Sequence, residues 1–345
     1  MTTNLTSSKL RQFFVVGNSR SGTTLMARIL GNHSLVFTFE ELHFFEELWS
    51  TDQKFTIVSQ SQALKIMARL LTIQRQGYLT QGNPTDFLEE AQSILETLPQ
   101  DLNLTDIFLA FLEYESSQHN KSISCEQTPR NVLYIKEILE FYPEARIINM
   151  IRDPRDILLS QKNRWKRPFF SKTIPKKEGI RYWINYHPIT ISKLWNTNIL
   201  ASERYRHDPR VYHLRFEDLL FQPEESVQEI CQFLEISYDS ELLNVPRVGS
   251  SNLSDRPDQN TIDSARAGSW MKGGLTDTEI FICQKINRAL MNRKGYDLVV
   301  AHPNPGFFLV VLISFPLKLC FALLFSFKRM KNIKETLKRR LMTNH

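Results

Sequence analysis

Four short apolar runs stand out along the chain, and each ends where the sequence turns to polar residues or glycine. They are Phe13–Val16, a weaker run at Ser122–Cys125, Arg146–Ile151 and Val211–Arg215. Uninterrupted apolar runs of this length are typical of strands that are buried on both faces. Because stretches with helical spacing separate them, the pattern predicts an α/β fold, a parallel sheet flanked by helices.

The longest interval between these runs contains two stretches with apolar residues at three- and four-residue spacing, Gln62–Arg75 and Pro84–Leu98. They predict a helical insertion over about residues 45–120, either a lid that shapes a substrate site or ordinary packing helices. A segment rich in Ser, Asp, Arg and Gly at residues 253–275 indicates a mobile loop that ends on Trp270.

Charge and cysteine usage narrow the class of protein. The net charge of +6 arises from Lys328–His345, which holds seven basic residues and one acidic residue, so residues 1–327 balance at 36 of each sign. A basic tail on a neutral domain argues against a nucleic-acid-binding face. The four cysteines are scattered without metal-binding spacing, which favours reduced thiols in a cytoplasm and no metal site. Residues 1–12 are a polar tail without the apolar core of a secretory signal.

The turn after the first apolar run has the form of a phosphate-binding loop. Gly17 to Leu25 reads GNSRSGTTL and leads into a predicted helix at Thr24–Asn32. Glycines permit the tight turn, and the free backbone N–H groups at the helix start face a bound anion. Both glycines match the Walker A pattern, but Thr23 occupies the position of its lysine. The missing lysine argues against ATP or GTP chemistry, and Arg20 can supply positive charge instead.

A second anion site is predicted where the third run ends, at Arg152-Asp153-Pro154. Asp153 is a good N-cap and Pro154 a good first helical residue, so a helix is expected to begin there at once. Arg152 then lies at the carboxyl end of the sheet, while Ser160 and Arg164, four residues apart, share one face of that helix. Two arginines and a hydroxyl are suited to a second phosphate group.

The pair SRSGTTL (residues 19–25) and IRDPRDILLS (residues 151–160) resembles the sulfotransferase family that uses 3′-phosphoadenylyl sulfate (PAPS) as donor. The resemblance is closest to the branch that includes bacterial and protein-tyrosine sulfotransferases. It extends from about Phe13 to Asp297 and includes LRFEDLLFQPEESVQEICQFL at residues 214–234. It implies a P-loop-type sulfotransferase domain over residues 13–300, which transfers a sulfuryl group to a hydroxyl without a metal.

The resemblance also implies roles for individual residues. A glutamate shortly after the first helix can serve as general base toward the acceptor hydroxyl; Glu41 matches it, and His43 is the alternative. Positive charge on Arg20 is expected to stabilise the leaving 5′-phosphosulfate. The 5′ group is expected in the first loop and the 3′ phosphate at the second site. The residues implied to bind the donor are Arg20, Ser21, Gly22, Thr23, Thr24, Arg152, Ser160 and Arg164.

Three positions depart from the family pattern. Gln127 stands where many relatives carry a lysine, for which Arg130 is the candidate replacement. Phe216 replaces a tyrosine near the nucleotide, and Ser269 replaces a common basic residue, for which Lys272 can substitute. These departures keep open a catalytically silent, membrane-bound nucleotide-binding protein as one alternative. A P-loop kinase or other phosphotransferase is the second alternative.

Residues 301–345 predict a membrane-associating extension. Residues 306–327 are almost wholly apolar and long enough to span a bilayer, although Pro316 and Lys318 interrupt them. A basic amphipathic helix suited to an anionic membrane surface is predicted next, with its apolar face at Met330, Ile333, Leu337 and Leu341.

Three arrangements of this extension are possible: a spanning anchor, monotopic attachment, and a helical interface in a soluble protein. A span would put the basic end across the membrane from a cytoplasmic domain, against the positive-inside tendency. We therefore expect peripheral or monotopic attachment on the cytoplasmic side of a membrane. The expected acceptor is a hydroxyl of a lipid or glycolipid, of a glycan, or of another small molecule.

Overall fold

The computed structural model describes residues 10–79, 82–167, 175–247, 256–260, 262–326 and residue 339. At its centre lies a five-stranded sheet in the order β2-β3-β1-β4-β5, in which every pairing is parallel. The strands are β1 (Arg11–Gly17), β2 (Val36–Thr38), β3 (Ile123–Glu126), β4 (Arg146–Ile151) and β5 (Val211–Arg215). The predicted α/β fold is therefore confirmed, and all four apolar runs form strands of this sheet.

Helices connect and cover these strands. In chain order, the described α-helices are α1 (Thr23–Gly31), α2 (Gln60–Gln76), α3 (Leu88–Glu96), α4 (Leu104–Gln118), α5 (Ile135–Phe141), α6 (Pro154–Lys162), α7 (Lys177–Asn185), α8 (Pro188–Glu203), α9 (Phe216–Phe221), α10 (Pro223–Leu234), α11 (Asp277–Arg293) and α12 (Pro305–Ser326). The C-terminal apolar helix that the sequence predicts is present as α12. The predicted amphipathic helix after it lies outside the described residues.

The apolar core lies on both faces of the sheet because successive side chains of a strand point in opposite directions. Phe14 and Val16 pack into one cluster, which includes residues of α2, α4 and α5. Phe13 and Val15 pack into the other, with residues of α1 and α10. This double burial explains the unbroken apolar run of β1. It also shows that the helices between β2 and β3 contribute to the core as packing helices.

The sequence pattern missed β2, since Val36-Phe37-Thr38 is too short to show a period. It also placed Ser160 and Arg164 on one helix, which was wrong. The structure ends α6 at Lys162, and Arg164 begins a separate 3₁₀ turn, Arg164–Lys166.

The segment expected to be an irregular loop contains regular structure in its described part. A short strand β7 (Arg256–Asn260) pairs with β6 (Pro246–Arg247), and two 3₁₀ turns follow at Ser264–Arg266 and Ser269–Lys272. The buried carboxylate of Asp156 accepts hydrogen bonds from the backbone N–H groups of Gly268 and Trp270, both at 2.9 Å. The turns are thereby fixed to the start of α6.

The order of the strands decides where ligands can bind. From β1 the chain crosses to β2 at one edge of the sheet and returns to β3 beside β1, and it then crosses to β4 on the other side of β1 and continues to β5. The loops after β1 and β4 therefore leave the sheet in opposite directions and open a crevice between them. Such a switch point at the carboxyl ends of the strands is the usual binding position in open α/β sheets.

Gly22 allows a prediction about the loop that borders this crevice. Its φ is 101°, and a Cβ there would lie 2.3 Å from the ring of Phe216. We expect Gly22→Ala to lower the free energy of unfolding by about 3 kcal/mol, from backbone strain plus steric overlap. Urea denaturation followed by circular dichroism measures the change.

Gly295 provides the control, because its φ is also positive, at 73°, and the atom nearest to its Cβ position, Arg215 Nη1, lies at 3.5 Å, an ordinary contact distance. Gly295→Ala therefore carries mainly the backbone cost, about 1 kcal/mol. Equal losses in the two variants would show that the contact with Phe216 is unimportant.

Candidate active site

The loop between β1 and α1 has the conformation that an anion-binding loop requires. Gly22 precedes the helix in the left-handed region and accepts backbone hydrogen bonds from Leu25 and Met26. The Ser21 N–H donates to the carbonyl of Asn18 at 3.0 Å. Thr23 is buried at the first position of α1, whereas Thr24 is exposed. The first backbone N–H groups of α1 thus lie at the mouth of the crevice.

Arg20 joins this loop to the second predicted anion site. Its Nε donates to Ser160 Oγ at 2.9 Å, and its carbonyl oxygen accepts from Arg152 Nη1 at 3.1 Å. Its φ of 77° is unusual for a residue with a side chain, so the surroundings hold this conformation against a cost of about 1–3 kcal/mol. The structure therefore brings together the two segments that the sequence analysis singled out.

The electrostatics of the crevice favour an anion. Burial lowers the pKa of Arg20, and the positive charges of Arg167, Arg164 and Arg152 lower it further. Guanidinium groups this close repel one another unless negative charge lies among them. Three buried polar atoms of the crevice also have no protein partner in the described structure: Ser21 Oγ, Arg152 Nε and Arg164 Nε. Buried donors without acceptors are costly, so the residues present fit a polyanionic ligand.

The segment after β5 supports both loops. The ring of Phe216 lies against Gly22, and the guanidinium carbon of Arg152 is 4.5 Å from the ring centroid. Glu217 accepts a hydrogen bond from the Asp153 N–H at 2.9 Å and another from the Tyr296 hydroxyl at 2.9 Å. Phe216 thus supports the crevice by packing and has no hydroxyl with which to replace the tyrosine that the family resemblance implies at this position.

The helix start after β4 has the predicted geometry. Asp153 caps α6 by accepting from the Arg155 N–H at 2.8 Å, and Pro154 follows as the first helical residue. Arg155 points away from the crevice, since it pairs with Asp153 at 2.7 Å and stacks on Trp270 at 4.0 Å. Arg152 is therefore the arginine of this motif that faces the crevice.

Two further arginines at the crevice were missed by the sequence reasoning. The carbonyl of Arg266 accepts from Arg152 Nη2 at 2.8 Å, and Arg167 is the first positive charge to depress the pKa of Arg20. No local pattern marks Arg266, because its contact with Arg152 joins segments 114 residues apart. Ser269 donates to the carbonyls of Ala265 and Arg266, while Lys272 is exposed at the end of the turn.

The segment after β2 brings acidic residues to the same edge of the sheet. His43 Nε2 lies 3.4 Å from Glu41 Oε2, and His43 Nδ1 lies 3.1 Å from Glu46 Oε2. The backbone N–H of His43 donates to Thr128 Oγ1 at 3.2 Å, just beyond β3, which fixes the segment. His43 has a φ of 52°, so it is a second strained residue at a candidate position.

The pKa values of this pair suggest different tasks for its members. Burial disfavours the charged imidazolium of His43, but hydrogen bonds and charges from Glu41 and Glu46 outweigh it and raise its pKa to about 9. Burial alone would raise the pKa of Glu41, yet His43, Arg164 and Arg130 together lower it below the usual value. At neutral pH the pair is therefore an imidazolium beside a carboxylate, and the carboxylate is free to accept a proton.

Gln127 occupies the position where a lysine was expected. It is buried, and its Oε1 has no partner within the described structure. The next cation along the chain is Arg130, which donates to Glu46 and contributes to the lowered pKa of Glu41. Arg130 thus places positive charge beside the candidate base from a 3₁₀ turn, Pro129–Tyr134.

These side chains converge because each follows the carboxyl end of a parallel strand. Within the residues that the structure describes, no group of three or more His, Cys, Asp or Glu side chains is placed to hold a metal ion. The carboxyl ends of the strands form an anion crevice from arginines and the N–H groups at the start of α1. The ionised carboxylate of Glu41 lies beside it. Such an arrangement fits the binding of an anionic donor group next to a carboxylate, which is suited to group transfer.

Comparison with known proteins specifies the class. The sequence profile of the sulfotransferase family matches residues 12–240, so the chain belongs to the sulfotransferase family. The match includes the loop after β1, the segment after β4 and the strands between them. The recognition of this family from two short motifs is therefore confirmed.

Two curated relatives and one solved structure illustrate the similarity. An uncharacterised protein of Aquifex aeolicus is 25% identical over 237 residues, which are 68% of this chain and 26% of the relative. The omega-hydroxy-beta-dihydromenaquinone-9 sulfotransferase Stf3 of Mycobacterium tuberculosis is 25% identical over 245 residues, which are 64% of this chain and 62% of that enzyme. The chain thus spans less than two thirds of either relative.

The sulfotransferase domain of the Synechococcus PCC 7002 olefin synthase superimposes with a TM-score of 0.51 at 21% identity. The superposition covers 84% of this chain and 96% of that domain. At this level of identity the likeness establishes the fold.

The raised pKa of His43 predicts a pH dependence of stability. An imidazole whose folded pKa is about 9 and whose unfolded pKa is about 6.5 contributes stability that is full below pH 6.5 and is lost as pH rises through 9. The shift corresponds to about 3 kcal/mol. We expect His43→Asn to lower the free energy of unfolding at pH 6 and to remove this loss between pH 7 and 9.5. Identical pH profiles for the variant and the parent protein would contradict the assignment.

Proposed function

We propose that this sulfotransferase moves a sulfuryl group from PAPS to a hydroxyl group of an acceptor. The observation that carries the proposal is the crevice where Arg20, Arg152 and Arg164 converge and where buried donor atoms lack acceptors. A donor with phosphate at both the 5′ and the 3′ position supplies negative charge to both segments that border the crevice. The bond from Arg20 to Ser160 ties the two halves into one binding site.

In this proposal each candidate residue has one task. The 5′-phosphosulfate is bound by the backbone and side chains of the first loop: Arg20, Ser21, Gly22, Thr23 and Thr24. Arg152, Ser160 and Arg164 bind the 3′ phosphate. Phe216 and Glu217 position the two segments from below and touch no ligand.

Glu41 accepts the proton of the acceptor hydroxyl as the oxygen forms its bond to sulfur. The bond from sulfur to the bridging oxygen breaks, and its electron pair remains on the leaving phosphate. Arg20 stabilises that charge. Because the pKa of His43 is about 9, its imidazolium keeps Glu41 ionised and oriented and does not itself act as base. Arg130 supplies the charge that a lysine at position 127 would give.

The two alternative functions have less support. A P-loop kinase requires a lysine on the phosphates, and Thr23 is buried at that position. A silent binding protein has no need of an ionised Glu41 held beside an imidazolium by strained backbone at His43. The relative Stf3 is named for a hydroxylated menaquinone, which supports a hydroxyl group as the acceptor here as well.

The 3′ phosphate can be tested by equilibrium binding. We expect adenosine 3′,5′-bisphosphate to bind at least about 10-fold more tightly than adenosine 5′-phosphate, because charged hydrogen bonds contribute about 1.5–3 kcal/mol. Arg152→Ala should remove most of this difference, and isothermal titration calorimetry measures it. Arg210→Ala is the control, since Arg210 pairs with Asp208 before β5, at the opposite edge of the sheet. Equal affinity of the parent protein for both nucleotides would overturn the proposed donor.

The general base can be tested with labelled PAPS and a lipid extract as the source of acceptor. We expect Glu41→Gln to lower the rate of sulfate transfer about 100-fold or more without changing the affinity for the bisphosphate. Glu40→Gln is the neighbouring control, because Glu40 is exposed and receives no contact from His43. A Glu41→Gln variant with full activity would exclude Glu41 as the base.

A further inference from the structure

A cavity of about 180 Å³ opens beside the anion crevice. One end is polar and contains Asn18 and Ser19 of the first loop together with Arg164 and Arg130. These two arginines are among the charges that lower the pKa of Glu41, so this end adjoins the candidate base. At the opposite, apolar end α12 provides Leu319, Ala322 and Leu323. Helix α8 contributes Ile191 and Leu194 to the wall of the cavity, together with the polar Thr190 and Asn198.

Helix α12 is held against the domain along one face. Val311 is buried beside Ile189 and Ile282, and Lys318 Nζ donates to the carbonyl of Tyr186 at 3.1 Å. Lys318 also lies 4.6 Å from the ring of Trp183, so the charge of α12 is directed toward the domain. One helical turn further on, the same face reaches the cavity. The helix therefore lies along the protein surface and contacts the domain over much of its length. A helix that left the domain to span a membrane would not make these contacts.

The opposite face of α12 is apolar and exposed. The most apolar 18 residues within Pro305–Phe325 have a mean hydropathy of 2.5 and are only 6% buried, so by length and composition this helix could cross a membrane. Its outward side chains include Leu317 and Leu324, which are 60% and 63% exposed. Ile180 and Trp183 of α7 are exposed as well. An apolar surface of this size is unfavourable in water and suits a lipid phase.

We propose that α12 closes the acceptor site and that the acceptor is a membrane lipid that carries a hydroxyl group. The hydroxyl enters the polar end of the cavity beside Glu41, and the hydrocarbon chain lies against Leu319, Ala322 and Leu323. The outward face of the same helix lies in the membrane surface, so the lipid reaches the cavity from the bilayer without crossing water. This inference rests on the proposed sulfuryl transfer and adds the class of acceptor and its route.

The part of the wall that α12 contributes supports a lipid over a sugar or a peptide. Leu319, Ala322 and Leu323 offer no hydrogen-bonding side chain there, whereas a glycan needs hydrogen-bonding groups along its whole length. Leu319 and Leu323 are 40% and 36% exposed, so the apolar end is open toward the outward face of α12. In the basic tail that follows, Lys328–His345, Arg339 pairs with Glu137 of the domain at 2.6 Å, and the other six basic residues add attraction to anionic lipids.

The experiment uses the full chain with vesicles of phosphatidylcholine and phosphatidylglycerol. The vesicles contain a derivative of hexadecan-1-ol that carries a photoreactive diazirine. The labelled residues of the protein are identified with and without an excess of unmodified hexadecan-1-ol as competitor. We expect competed labelling at Leu319, Ala322 or Leu323. With labelled PAPS, hexadecan-1-ol should be sulfated at least about 10-fold more efficiently than butan-1-ol, because its chain buries far more apolar area.

Ala322→Trp fills the cavity, and Leu324→Trp places the same side chain on the exposed face. We expect Ala322→Trp to lower lipid sulfation at least about 10-fold while vesicle binding and bisphosphate affinity are kept, and Leu324→Trp to keep all three. Full activity of Ala322→Trp, no competed labelling, or equal use of butan-1-ol would overturn the lipid route while leaving sulfuryl transfer intact. Failure of the parent protein to bind the bisphosphate would instead overturn the proposed function, and the labelling result would be judged separately.

Discussion

Repulsion between neighbouring guanidinium groups is the constraint on which this site depends. Arg20, Arg152 and Arg164 lie close enough to disfavour one another's charge, and the fold has to hold them there without a ligand. It does so through backbone carbonyls, as in the bonds from Arg152 to the carbonyls of Arg20 and Arg266. Asp156 contributes a carboxylate 3.7 Å from Arg152 and also anchors the turn that contains Arg266. The repulsion that remains is available to a ligand as binding energy.

The parallel sheet makes this arrangement possible. Since every strand of the sheet points the same way, the chain emerges at one edge after each strand and delivers one group there. Arg20 follows β1, Glu41 follows β2, Gln127 follows β3 and Arg152 follows β4. Phe216 follows β5 and packs beneath the residues from β1 and β4. The order of the strands in the parallel sheet is therefore sufficient to bring residues that are far apart in the sequence into one site.

Much of this could be predicted from local sequence. The strands were evident because they are buried on both faces, and Asp153-Pro154 marked a helix start through chemistry within three residues. Both features depend on neighbours in the chain. Strand β2 was not predicted because three residues are too few to show an alternating pattern. Ser160 and Arg164 were wrongly placed on one helix because no strong helix-stop residue marks the end of α6.

Other features could not be predicted, because they depend on packing between distant segments. Nothing local to His43 shows that it would lie between two carboxylates, which raise its pKa to about 9. The contact of Arg266 with Arg152 joins residues 114 positions apart. The contribution of α12 to the cavity wall could not be predicted either, because it depends on the contact between Lys318 and the carbonyl of Tyr186, which only the structure shows.

The bond between Arg20 and Ser160 has a consequence for the timing of turnover. Under the proposed function, one side chain connects the two phosphate subsites, so a bisphosphate that is released at one end is still held at the other and rebinds before it diffuses away. On that proposal the spent nucleotide departs slowly, whereas a sulfated product has no comparable double attachment. Turnover would then be sensitive to accumulation of the nucleotide by-product and would depend on the reaction that removes it.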